Sequence, residues 1–131
     1  MFPTNVKFLS TSRFIENGVS NDNYKNFNLA NHVGDEPNSV LANRQLLVNH
    51  YNLPAEPKWL DQCHSNVCVN VDLPYLLKAD ASMSQTPGVV CGVLTADCLP
   101  VFLCKKDGSA VGVVHAGWRG LLGGVIESTI K

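Results

Sequence analysis

Two consecutive segments, VVCGVLTADCLPVFLCKKDG at residues 89–108 and SAVGVVHAGWRG at residues 109–120, most narrow what this chain can fold into. Each carries an almost unbroken apolar stretch, and a Lys-Asp-Gly turn parts them. Short apolar runs bounded by turn residues read as buried strands. Strands that are apolar on both sides need a sheet covered on both faces. A layered α/β or α+β domain meets that need. Yet Asp97-Cys98 interrupts one run, and the other ends on His115, followed by Ala-Gly-Trp-Arg-Gly. Core packing alone has no use for those residues.

The rest of the chain supplies further strand and helix signals. VKFLSTSR (residues 6–13) reads as a first strand. Residues 16–38 are rich in Asn, Gly and Asp and read as a loop longer than passive connections usually are. Asp35 to Tyr51 reads as a helix, with Asp35 as its N-cap and Pro37 in its first turn. Val40, Leu41, Leu47, Val48 and Tyr51 follow helical spacing. Arg44 falls inside that apolar stripe. It is either an edge residue whose stem lies along apolar surface or an inward guanidinium aimed at an anion or a buried carboxylate. KWLDQCHSNVCVNV (residues 58–71) alternates toward its end and reads as a strand carrying His64. ASMSQTPG (residues 81–88) reads as a turn-rich link. LLGGVIESTIK (residues 121–131) reads as a closing helix.

Composition removes several function classes. A chain of 131 residues suits one ordinary domain, and 45% hydrophobic with 16% charged residues is a globular balance. The net charge is −1, without a basic run, so there is no electrostatic footprint for nucleic acid. No apolar run approaches the ~20 residues that cross a bilayer. The N-terminal MFPTNVKFLSTSRF lacks the apolar core of a signal peptide. Five cysteines, an odd number without any C-x-x-C pair, argue against both a disulfide framework and a structural zinc ribbon. A reducing, cytoplasmic setting is expected.

The four histidines are unequal. His50 sits near a helix end, where a cation is favourable, and His32 lies in the long loop. His64, Cys98 and His115 each fall at a strand end or edge beside polar residues. They are separated by 34 and 17 residues, too far for a local clamp but natural for ligands gathered by adjacent strands. One thiolate and two imidazoles would make three zinc ligands with a fourth position open, as in catalytic sites. The same residues also suit a metal-free Cys-His nucleophile pair, or a buried cysteine beside two hydrogen-bonded core histidines. Arg119, after a Gly-Trp turn at a helix start, is a candidate anion ligand, with Arg44 as the second. Asp97 is expected to orient a loop, and Trp118 to sit in the core or in a pocket wall.

DQCHS, ADA, TADCLP and HAGWRG, with NLANHVGD and Asn43-Arg44 upstream, resemble the YfiH-like (PgeF-like, laccase-domain or polyphenol oxidase) family. The resemblance runs along almost the whole chain. It implies an α+β fold, a layered α/β/α sandwich with a mixed sheet. It implies a catalytic zinc on His64, Cys98 and His115, and phosphorolysis of purine nucleosides. Methylthioadenosine phosphorolysis and adenosine deamination are the implied side activities. The implied partners are small molecules, a nucleoside and phosphate, with no nucleic acid and no membrane. Family members are nearly twice as long, so residues 1–131 are expected to be a single, truncated domain, incomplete at the C-terminus. Cys63 departs from the small aliphatic residue usual before His64. Alternative readings are a copper-dependent polyphenol oxidase, a metal-free Cys-His hydrolase such as a peptidoglycan-editing enzyme, and an inactive scaffold fragment. A multicopper oxidase needs a blue-copper site and a further copper cluster, mostly on histidine, and four histidines cannot supply both. A single Cys-His-His site could still take up Cu(II).

Overall fold

A computed structural model describes residues 2–131. Two compact units emerge. One joins the segment ending at Phe8 to Pro57–Lys131, and the other is Leu9–Glu56.

The larger unit is α+β and is built on a four-stranded mixed sheet. Its strands are β1 (Cys68–Asn70), β2 (Ala81–Ser84), β3 (Leu99–Cys104) and β4 (Val111–Ala116), in the order β1-β2-β4-β3. β1 and β2 are parallel, while β2–β4 and β4–β3 are antiparallel. The apolar pair read from the sequence is the β3–β4 hairpin. Its turn closes through Gly108 N–H to the Lys105 carbonyl (2.9 Å) and Lys105 N–H to the Ala110 carbonyl (3.0 Å). Gly108 takes φ 72°, which glycine adopts without a Cβ penalty. β3 is an edge strand, where Pro100 costs no inner ladder bond.

One face of the sheet buries Ala81, Val114 and Ala116 against Val125, with Cys68, Val101, Leu103 and Ile126 around them. Val114 and Val125 have no exposure, and burial of such side chains stabilises by about 1.5–3 kcal/mol each. A Cβ on Gly112 of β4 would lie 3.3 Å from the Ser82 carbonyl and 3.4 Å from Thr129 Cγ2, so the helix bearing Thr129 packs closely at that point. On the opposite face Phe102 meets Phe8, with ring centroids 5.1 Å apart.

Several expectations are corrected. ASMS is not a link but β2, an inner strand. It lies between β1 and β4, and its small residues Ala81, Ser82 and Ser84, which project to the two faces of the sheet, are buried. Residues 58–67 are not strand; regular pairing starts only at Cys68. The closing helix is two short ones, α2 (Trp118–Leu122) and α3 (Val125–Ile130), broken at Gly123-Gly124, where Gly124 has φ 84°. VKFLSTSR is irregular rather than a strand.

The smaller unit holds the long loop and α1 (Pro37–His50), with Pro37 in its first turn. Asp35 is not the N-cap. Its carboxylate accepts from Ser20 Oγ (2.6 Å), Asn28 Nδ2 (3.1 Å) and Glu36 N–H (2.8 Å). The loop is ordered through polar groups, with Asn43 of α1 at the centre. Fully buried, Asn43 accepts from Val19 N–H (3.0 Å) and donates to Ser20 Oγ (2.8 Å) and the Asn28 carbonyl (2.9 Å).

Asn43→Ala orphans these groups and should cost about 2–3 kcal/mol, measurable by urea unfolding. Acid should loosen the end of β2. Asp72 accepts from Ser84 Oγ (2.5 Å) and Gln85 N–H (2.6 Å). These bonds, the serine's foremost, hold its carboxyl below the usual carboxylate range. Their contribution is complete above about pH 4, the unfolded value, and is lost as pH falls through the lower folded value. Asp72→Asn should therefore flatten the acid limb of the stability–pH curve.

Candidate metal centre

His64, Cys98 and His115 meet in the larger unit. Each offers one ligand atom, and these atoms all lie within 4.8 Å of one another. The two imidazole centroids are 5.0 Å apart. His115 lies near the end of β4 and is buried; Cys98 immediately precedes β3 and is half-buried. His64 is exposed and sits on an irregular segment ahead of β1, not on a strand edge. Its backbone adopts φ 61°, a left-handed conformation that costs a non-glycine residue about 1 kcal/mol or more.

That turn is held from behind by Asp80, the acid of the ADA motif, which has no spacing signal of its own. Its carboxylate is fully buried. Oδ1 accepts from Cys63 N–H (3.0 Å), Ser65 N–H (2.8 Å) and Ser65 Oγ (2.9 Å). Oδ2 accepts from His64 N–H (3.0 Å) and lies 2.8 Å from His115 Nδ1. Burial pushes the Asp80 carboxyl up, but the bonds from His115, Ser65 and Cys63 together prevail and bring it down to about 2. Gln62 joins the His64 segment to the approach of Cys98. Its Nε2 donates to the Leu94 carbonyl and its Oε1 accepts from Leu94 N–H, both at 2.7 Å. Gly117 closes the third side. A Cβ there would lie 3.1 Å from His64 Cδ2 and 3.2 Å from Cys98 Sγ, so only a bare α-carbon leaves both ligands undisturbed.

The other candidates are placed differently. Arg119 is exposed, with its guanidinium 5.1 Å from the centroid of the Trp118 ring. α2 has only five residues, too short for the helix-end anion site read from the sequence. Trp118 is 68% exposed, outside the core. Arg44 belongs to the smaller unit, where its Nε donates to the Leu29 carbonyl (2.9 Å). Burial lowers its pKa, and Glu56 acts against that. Asp97 Oδ1 lies 3.8 Å from Cys98 Sγ. His32 and His50 also lie in the smaller unit. All five cysteines are free thiols.

A family model described as multi-copper polyphenol oxidoreductase laccase matches residues 8–131. The chain belongs to this family. Among its relatives is the purine nucleoside phosphorylase YfiH of Escherichia coli, 48% identical over 131 residues, a match covering 98% of this chain and 53% of the relative. Another is the purine nucleoside phosphorylase PA4543 of Pseudomonas aeruginosa, 44% identical, with 98% and 51% covered. The crystal structure of NMB0706 from Neisseria meningitidis superposes with a TM-score of 0.88 at 47% identity, covering 98% of this chain and 52% of that one. The chain thus spans about half the length of the curated relatives it matches.

The laccase-family donors fit a metal ion chemically. A thiolate and two imidazoles suit zinc or copper. Tetrahedral bonds of about 2.0–2.3 Å imply ligand separations near 3.5 Å, so the cluster would tighten by about 1 Å on binding. The exposed ring of His64 is the member with freedom to do so. Gly117 should be the sensitive neighbour. Gly117→Ala keeps a backbone allowed to any residue (φ −76°, ψ 167°), so its unfolding temperature should change little. Its affinity for zinc, measured by competition with a chromophoric chelator, should fall by on the order of tenfold, because displaced ligands close poorly.

Proposed function

We propose that this chain carries the metal centre of a zinc-dependent purine nucleoside phosphorylase. The observation that carries the reading is the convergence of His64, Cys98 and His115 in a chain whose relatives bear that name. Because the chain spans about half of those relatives, the activity is proposed for the whole protein. His64 and His115 would bind as neutral imidazoles and Cys98 as a thiolate. A bound zinc ion supplies a Lewis acid that polarises a substrate oxygen or nitrogen and makes water more acidic.

The reaction forms a bond from a phosphate oxygen to the anomeric carbon of ribose and breaks the glycosidic bond to the purine. Phosphate must be held against that carbon, and a guanidinium does so with paired N–H donors. Arg119 is the residue assigned to this task. It lies two residues beyond Gly117, and its guanidinium carbon lies 5.1 Å from the centroid of the Trp118 ring. Arg44 is the second candidate, on its sequence position alone. Methylthioadenosine phosphorolysis would use the same groups, and adenosine deamination would use water in place of phosphate. A cytoplasmic setting agrees with five free thiols. Among the described residues, no helix is long and apolar enough to cross a membrane.

Copper-dependent phenol oxidation is the second reading, favoured by the description of the family and by the high affinity of such donors for Cu(II). The test is inosine or adenosine with and without phosphate, using zinc-loaded full-length protein. Free base with ribose 1-phosphate is the expected product. Phenol oxidation that requires copper, without nucleoside turnover, overturns the proposal. Cys98→Ala should abolish metal binding and turnover together. Arg119→Ala should raise the KM for phosphate about tenfold or more while sparing metal content.

A further inference from the structure

We infer that Asp80 is a positioning residue that selects the metal-binding tautomer of His115 and, with the same carboxylate, fixes the backbone turn presenting His64. The inference rests on the metal-centre reading of this site, but not on the identity of the substrate.

The hydrogen-bond inventory of one carboxylate carries it. An ionised carboxylate only accepts. With no solvent exposure, Asp80 must satisfy its lone pairs within the protein. Five donors converge on it from three consecutive amides, one hydroxyl and one imidazole. In neutral His115 the proton must therefore sit on Nδ1, facing Oδ2 at 2.8 Å. Nε2 is left with its lone pair, the form a metal ligand requires. The other four bonds act on residues 63–65. They brace the turn in which His64 has φ 61°, an uncommon conformation for a non-glycine residue. One group therefore aligns two ligands that are 51 residues apart in the chain.

Asp80→Asn is nearly isosteric but reverses part of this logic. Its Nδ2 is better tolerated at the Oδ2 position, which faces two donors, than at Oδ1, which faces three. There it would donate to His115 Nδ1. The imidazole proton would pass through solvent to Nε2, and the metal-facing nitrogen would lose its lone pair. The His64 N–H would be left against a second donor.

The experiment is nitrogen-15 NMR of the histidine rings in metal-free protein, with amide exchange for residues 63–65 and titration with Co(II). Wild type should show His115 protonated on Nδ1, slow exchange of the three amides, and cobalt absorption of a sulfur-ligated site. Asp80→Asn should move the proton to Nε2, speed exchange and weaken Co(II) binding by about 10–100-fold. Asp80→Asn that loses only thermal stability, with tautomer and Co(II) affinity unchanged, overturns the inference. So does wild-type protein with His115 protonated on Nε2, a measurement that holds even if the variant fails to fold. Absence of phosphorolysis would refute the proposed reaction and leave these readouts intact.

Discussion

A carboxylate shut away from water is costly unless every lone pair finds a donor. At Asp80 the donors come from residues 15 to 17 positions earlier and from His115, 35 positions later. The main chain of the same residue reinforces the link. Its N–H reaches the Val67 carbonyl (3.1 Å), and its carbonyl accepts from His115 N–H (2.7 Å). The entry to β1, the start of β2 and the end of β4 thus share one anchor. With that anchor in place, a strained turn and a buried imidazole can both be kept in register.

Around this anchor the sheet supplies rigidity and the irregular segments supply reach. His115 inherits its position from β4, whose inner place in the sheet is fixed by pairing on both sides. Cys98 sits one residue ahead of β3, where Pro100 pairs with His115. His64 has no ladder to rely on. Its segment is pinned instead by the Asp80 carboxylate, by the Gln62–Leu94 pair, and by Asn66 Nδ2 bonded to the Gly123 carbonyl (2.8 Å). Glycine lets α2 come close. A Cβ on Gly120 would lie 3.2 Å from the Ser65 carbonyl, so α2 and the His64 segment approach to backbone distance.

The smaller unit solves a similar problem with a buried amide, Asn43, beside the Asp35 carboxylate. Its long loop has little apolar content, so much of its order comes from amide, hydroxyl and carboxylate partners. Asn43 serves the loop as Asp80 serves the metal centre, without a charge to bury. Arg44 adds a bond to the Leu29 carbonyl. That is one use for a guanidinium inside an apolar stripe, alongside the anion-binding role its sequence position suggests.

Local pattern alone determined the β3–β4 hairpin, α1 with its proline start, and the three ligand types with their spacing. Each of these is written within a short window, as apolar runs, helical spacing or residue chemistry. The motifs also carried the family. Local pattern did not determine β2, because small buried residues such as Ala81 and Ser82 carry no strand signature. Nor did it determine the break at Gly123-Gly124 or the exposure of Trp118. Asp80 was the deepest omission: one acid between two alanines has no period or spacing to announce it. Its significance arises only when the fold places the amides of Cys63, His64 and Ser65 and the ring of His115 around it. The sequence named the chemical groups of the site; the tertiary structure decided their alignment, because alignment depends on hydrogen bonds between segments that no local pattern connects.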